Sequence, residues 1–266
     1  MSINKLYIFG DSNSLPFFGN EVESEKYKKF KGGKLPKGWM EILSDKLNLD
    51  LINYAEMGLS NSTIFQTICD KIRYVQPNDM VIVGWTFKMR YQVVSEYETK
   101  ENEEEFFGFS DVIPSYIPEN SLLSVSAMEE LLIHKNHKLW VNEIYFYEKL
   151  LVHLSNVCGF DLYFWSFDEE IGKIYNENTN MIYYLGKENL YEYYESESYK
   201  NLNLKTNNTI DFENYGFWRH LEQLGMKQIC DETNGEVNDG HIDEKGHIIL
   251  SDLFLYQIKK RNGIRL

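Results

Sequence analysis

Cysteine is nearly absent. Cys69, Cys158 and Cys230 are the only three in 266 residues. They are odd in number, far apart and without CxxC or Cys/His ligand spacing, so neither a disulfide framework nor a zinc site is indicated, and reduced, mostly buried thiols are expected. Positive charge is also scarce: 27 basic residues face 41 acidic ones for a net charge of -14. That balance repels polyanions and argues against nucleic acid or an anionic membrane as a partner. No apolar run approaches the length that spans a bilayer. The first one, Leu6 to Phe9, passes straight into Gly10-Asp11-Ser12 and is too short for a signal-peptide core, so a cytoplasmic protein is expected. A phosphate-cradling loop is missing as well. Gly10 and Gly58 stand alone, and Gly32-Gly33-Lys34 lacks both a preceding strand and a following Ser or Thr, which removes nucleotide hydrolysis.

What is present is an alternation of short apolar runs with amphipathic ones. Residues 5–9, 51–54, 80–86 and 160–167 read as buried strands. Between them, residues 38–47 place Trp39, Ile42, Leu43 and Leu47 on one helical face. Ser60, Asn61 or Ser62 can cap a helix carrying Ile64, Ile68 and Ile72, and residues 139–157 form a long amphipathic helix. A short helix over 217–224 and a final one over about 245–260, with Ile248, Leu250, Leu253, Leu255 and Ile258 as core candidates, close the chain. Strands alternating with helices give a parallel sheet covered on both faces, a three-layer α/β/α sandwich of flavodoxin-like appearance whose ligands sit at the strand carboxyl ends. Ser12, Gly58 and Thr86 all fall at such ends. The length suits a single domain, 1–266, with insertions at about 91–138 and 172–215 that form a cap. Eight tyrosines between Tyr175 and Tyr215 favour an ordered cap over a loose linker.

A serine hydroxyl attacks a carbonyl at neutral pH only if a base takes its proton, and that base must be held in one tautomer by a carboxylate. Ser12 after the first strand, with Asp239 and His241 in the run Asn238-Asp239-Gly240-His241, supplies all three types. Gly10-Asp11-Ser12, Asn53 with Gly58, and Asp239 with His241 before the last helix resemble, in that order, the GDSL/SGNH hydrolases. The resemblance covers residues 5–90 and 236–258 and leaves the middle unmatched. It implies the SGNH hydrolase fold, with Ser12 as nucleophile, His241 as general base, Asp239 as its orienter, and the N–H groups of Ser12 and Gly58 as oxyanion donors. It implies no metal and no organic cofactor.

The chain departs from the family pattern in two places. Where relatives have Gly-x-Asn, Gly84-Trp85-Thr86 stands here, so a hydroxyl replaces the amide, and Thr86, Asn61 or Asn13 is left as the third oxyanion donor. Family members with a similar Gly-Trp-Thr and a following arginine suggest a substrate role for Trp85 and Arg90. Arg90 would read a substrate carboxylate, with a plain surface arginine as the other reading. Asp11 is assigned to the substrate side too, although hydrogen bonds from loop N–H groups to its carboxylate are the more structural role. Second, the spacing is Asp-x-His where many relatives have Asp-x-x-His, which leaves His247, with Glu244 before it, as a rival base. Its place inside the final helix favours packing or capping. The remaining histidines show no mutual ligand spacing, and Asp168-Glu169 and the acidic run Glu101 to Glu105 read as solvated loops.

The expectation is thus a serine hydrolase that cleaves an ester through an acyl-serine. The substrate would be a small molecule or a carbohydrate ester, an O-acetyl group on a glycan above all, because tyrosine faces stack on sugars. An O-acyltransferase with the same triad, and a silent relative that binds a glycan or a protein, are the alternatives.

Overall fold

The computed structural model describes residues 5–17, 21–87, 91–96, 107–112, 137–167 and 217–262. Its strands are β1 (Lys5–Phe9), β2 (Asp50–Asn53), β3 (Met80–Trp85), β4 (Tyr91–Glu96), β5 (Phe107–Val112) and β6 (Asp161–Ser166). The helices are α1 (Glu21–Phe30), α2 (Trp39–Leu47), α3 (Asn61–Lys71), α4 (His137–Cys158), α5 (Phe217–Gln223), α6 (Ile229–Glu232) and α7 (Glu244–Arg261). Four strands form an all-parallel sheet in the order β2-β1-β3-β6, while β4 and β5 pair antiparallel by themselves.

Alternation along the strands sorts the core into two layers. Leu6, Ile8, Met80, Ile82, Tyr163 and Trp165 face α2 and α7, against Trp39, Met40, Leu43, Leu250, Leu253 and Phe254. Their neighbours Tyr7, Phe9, Val81, Val83, Leu162 and Phe164 face the other way, against Ile64 and Ile68 of α3 and Ile144 and Leu151 of α4. A parallel sheet needs apolar cover on both faces because its crossovers lay helices on both. The result is the expected three-layer α/β/α sandwich. Trp39 is fully buried and meets Trp165 and Phe254 edge-on at ring-centroid distances of 5.4 and 5.1 Å. Its truncation removes on the order of 3–5 kcal/mol.

Several local expectations shift. In α2 it is Met40 that enters the core, with Ile42 only half-buried. In α7 Ile248 faces solvent, and Ile249 and Phe254 take core positions instead. Cys69 and Cys158 are exposed free thiols, and Cys230 is half-buried, so the expected burial of the cysteines does not hold. The first expected insertion, 91–138, contributes β4 and β5 and otherwise lies almost wholly outside the described residues. The second, 172–215, lies outside them entirely, as do Arg90, Asp168, Glu169 and residues 101–105. Among the described residues no helix is long and apolar enough to cross a membrane, and no cluster of His, Cys, Asp or Glu could hold a metal ion.

Candidate active site

The chain leaves β1 through Gly10 and Asp11 into a single 3₁₀ turn, Ser12–Ser14. Asp11 caps that turn. Its Oδ1 accepts the Asn13 N–H at 3.0 Å, both its oxygens accept from Asn13 Nδ2 at 3.2 and 3.1 Å, and its Oδ2 accepts the Thr86 hydroxyl at 2.6 Å. Three other elements tie the turn down. Asn53, at the end of β2, donates from Nδ2 to the Ser14 carbonyl at 2.9 Å and accepts the Ala55 N–H on Oδ1. Trp39 donates its indole N–H to the Asn13 carbonyl at 2.9 Å. The backbone of Gly84 in β3 passes so closely beneath that a Cβ there would lie 2.6 Å from Trp165 Nε1 and 2.9 Å from Ser14 Oγ, which is why only glycine fits. Ser12 is 3% exposed.

The histidine arrives on a loop built by a different device. Residues 239–243 run antiparallel to residues 227–230: Ile229 N–H donates to the His241 carbonyl and Cys230 N–H to the Asp239 carbonyl, both at 2.8 Å, and Asp243 N–H donates to the Lys227 carbonyl at 2.9 Å. Asp243 then caps α7, its Oδ1 accepting the Gly246 N–H at 2.8 Å. Burial pushes the Asp243 carboxyl upward, against hydrogen bonds from the Gly246 and Lys227 backbone that pull it down.

Folding brings the three separated residues into one line of contacts. His241 Nε2 lies 2.8 Å from Ser12 Oγ, and His241 Nδ1 lies 3.1 Å from Asp239 Oδ1, which also accepts the His241 backbone N–H at 2.8 Å. An ionised carboxylate only accepts, so the Nδ1 proton points to Asp239 and the Nε2 lone pair to the serine hydroxyl. The Asp239 side chain is 3% exposed and the imidazole 26%. The Asp239 carboxylate is therefore sealed while the His241 ring stays in reach of solvent.

The oxyanion candidates separate. The N–H groups of Ser12 and Gly58 have no acceptor among the described residues. Gly58 takes φ +81° in a loop that the Glu56 N–H ties to the Gly10 carbonyl at 3.2 Å. Its glycine identity answers to that left-handed conformation, not to crowding, since a Cβ would meet nothing within 4 Å. Thr86 and Asn61 are engaged elsewhere. The Thr86 hydroxyl belongs to Asp11, and the Asn61 carboxamide clips the Thr86 backbone, Oδ1 accepting its N–H at 2.8 Å and Nδ2 donating to its carbonyl at 3.1 Å. Asn13 is likewise held by Asp11.

Two residues assigned to the substrate lie elsewhere. The Asp11 carboxylate is buried at 2% exposure inside its own turn, because the donors around it leave it no outward face. The Trp85 ring packs on the α4 side of the sheet, stacked on Phe164, with its indole N–H on Glu148 Oε1 at 2.8 Å. Arg90 lies outside the described residues. The rival His247 is a core group. It is 2% exposed, accepts the Trp39 N–H on Nδ1 at 3.2 Å and so caps α2, and burial depresses its pKa to about 3. Two roles escape a reading of the sequence: Asn53 as the staple between β2 and the serine turn, and Asn61 as the clip on Thr86. Asparagines at the end of a buried strand and at the head of a helix are the available signal.

No family model matches the chain, and no curated protein matches it. Among solved structures, the crystal structure of protein YxiM from Bacillus subtilis is similar to it, with a TM-score of 0.42 and 14% identity over 99% of this chain and 58% of that one. The chain thus spans a little under three-fifths of that protein's length.

Proposed function

We propose that this chain is a serine hydrolase of the GDSL/SGNH type that cleaves a carboxylic ester. The observation that carries the reading is the unbroken contact series Ser12 Oγ, His241 Nε2, His241 Nδ1, Asp239 Oδ1 at 2.8 and 3.1 Å. Ser12 Oγ adds to the ester carbonyl while its proton passes to His241 Nε2, and buried Asp239 stabilises the imidazolium. The N–H groups of Ser12 and Gly58 take the negative oxygen. Collapse of the tetrahedral intermediate returns the proton from Nε2 to the leaving alcohol and leaves an acyl-serine. Water then gives its proton to His241 Nε2 and its oxygen to the acyl carbon, and collapse of this second intermediate breaks the bond to Ser12 Oγ, which takes the proton back from Nε2 as the carboxylic acid leaves. Two backbone donors replace the three of the family pattern. One missing donor costs about 3–4 kcal/mol in transition-state stabilisation, which slows the reaction without abolishing it.

The 26% exposure of the imidazole supports water as the acyl acceptor, because a transferase has to keep water from the acyl-serine. A short acyl group on a carbohydrate is the substrate class we favour, on the tyrosine-rich run from Tyr175 to Tyr215. Steady-state hydrolysis of p-nitrophenyl acetate tests the reading. Wild type is expected to turn over, and Ser12→Ala to fall to the buffer rate. Equal rates in the two proteins mean that Ser12 is no nucleophile and favour the silent, glycan- or protein-binding relative.

A further inference from the structure

Helix α1 belongs to neither face of the sheet, and only Tyr27 among its ten residues is buried. Together with the lysine just after it, α1 still makes four polar contacts with the distant stretch of chain that carries the histidine. Glu23 Oε2 accepts the N–H of Asn238, the residue before Asp239, at 2.7 Å. The Tyr27 hydroxyl donates to Glu232 Oε2 at 2.7 Å. Lys31 donates to Glu232 Oε1 at 2.6 Å and to Glu244 Oε2 at 3.0 Å. Glu232 ends α6, just before the histidine loop, and Glu244 begins α7, just after it. One ammonium therefore bridges both sides of the loop. Beneath it Tyr27 packs with Ile229 and Val237, and with partly buried Phe17 and Leu35, as a separate small core.

We propose that Glu23, Tyr27 and Lys31 are positioning residues for the triad, a clamp that fixes the histidine loop so that His241 keeps its Nδ1 proton on Asp239 and its Nε2 on Ser12. The inference rests on the hydrolase reading for its kinetic consequence and on the geometry alone for its structural one. The backbone bonds of 239–243 run to 227–230, which lie on the same stretch of chain. Those bonds make the loop one unit with α6, whose inner edge is seated in the core by buried Met226 and Ile242 while its outer edge faces α1. The contacts from α1 dock that unit to the part of the chain that follows the serine turn. Lys31 suits this role because its side chain is only 16% exposed and separates two carboxylates that repel each other without it. Burial alone would lower the Lys31 pKa, but the hydrogen bonds to Glu232 and Glu244 outweigh it and hold the ammonium above its ordinary value.

The test uses the full chain with ¹⁵N-labelled histidine. Long-range ¹⁵N–¹H correlations report which imidazole nitrogen bears the proton, and the His241 signals are assigned by their loss in His241→Gln. Wild type is expected to hold neutral His241 in the Nδ1–H form. Lys31→Met should shift it toward the Nε2–H form that free imidazole prefers, with p-nitrophenyl acetate kcat down about ten-fold or more and KM within about two-fold. Lys31→Arg, whose fork reaches both carboxylates, should restore tautomer and rate. A folded Lys31→Met protein with the wild-type tautomer and rate overturns the clamp, and so does a wild-type ring already in the Nε2–H form. If Lys31→Met does not fold, the pair Glu23→Ala and Tyr27→Phe is judged by the same criteria. A tautomer that shifts in a protein without esterase activity supports the clamp and counts against the hydrolase reading. Activity with an unmoved tautomer does the reverse.

Discussion

Residues 10–15 are held from three sides of the core, by Asn53 at the end of β2, by Trp39 at the head of α2 and by the Thr86 hydroxyl after β3, all reaching a turn that Asp11 has already closed. Residues 238–243 are held by a backbone zipper to 227–230 and by side chains from α1, at the margin of the sandwich. The serine takes its position from the sheet itself, and the histidine takes its position from local pairing and from the side chains of α1. Damage to the serine turn is therefore expected to appear first as lost stability, and damage to the histidine loop as lost activity in a folded protein.

The largest effect that sharpens this contrast is His241→Gln. If His241 is the base proposed here, its loss should lower p-nitrophenyl acetate turnover by about 10⁴-fold or more, while thermal denaturation stays close to wild type because the side chain is part-exposed and its loop is pinned through the backbone. A large drop in melting temperature would break the contrast. Asp11→Ala comes next and should do the opposite. It strands the Asn13 N–H, the Asn13 amide and the Thr86 hydroxyl in a buried turn. At about 1–3 kcal/mol for each of the three unmet donors the loss is on the order of 3–9 kcal/mol, read from urea denaturation.

The two histidines of the last block extend the comparison to pH. Buried His247 has its pKa depressed to about 3, whereas in the unfolded chain it returns to the ordinary value near 6.5. Between those values the unfolded state binds more protons, so stability is full above about 6.5 and falls as pH drops toward 3. At about 1.4 kcal/mol per unit this amounts to roughly 3 kcal/mol between about pH 7 and pH 4. Asp243, whose carboxyl is raised by burial, titrates with the opposite sign and offsets part of the slope. Urea midpoints measured from about pH 7 to 4 should fall in wild type and fall less in His247→Gln; parallel slopes would remove His247 as the cause. The smallest expected effect is Gly58→Ala. A methyl group fits the open space, but φ +81° strains it by about 1–2 kcal/mol. A kcat reduced several-fold with unchanged KM would mark the Gly58 N–H as a donor to the transition state.

The framework is plain in the sequence because the four central strands are short, apolar and followed by punctuation, and a parallel sheet buries both faces of such runs. The contact of Ser12, His241 and Asp239 is readable from residue types and order. Other features are hidden for physical reasons. Helix α1 carries six Glu or Lys residues in ten and buries only Tyr27, so it offers no apolar stripe to read. Thr86 reads as a donor by its place after β3, but its hydroxyl direction depends on where Asp11 points. Trp85 reads as a site residue through its neighbours in sequence, yet strand alternation sends its ring to the opposite side, among the residues under α4. Ile248 and Ile249 are equivalent apolar residues, and only the contact of α7 with α2 decides which of them faces water.

The most direct measurement is covalent labelling by a fluorophosphonate, followed by peptide mapping by mass spectrometry. Wild type treated between about pH 6 and 9 should carry one adduct, on the peptide containing Ser12 and absent in both Ser12→Ala and His241→Gln. A folded wild-type protein left unlabelled at Ser12 across that range, or labelled equally well without His241, would contradict the account.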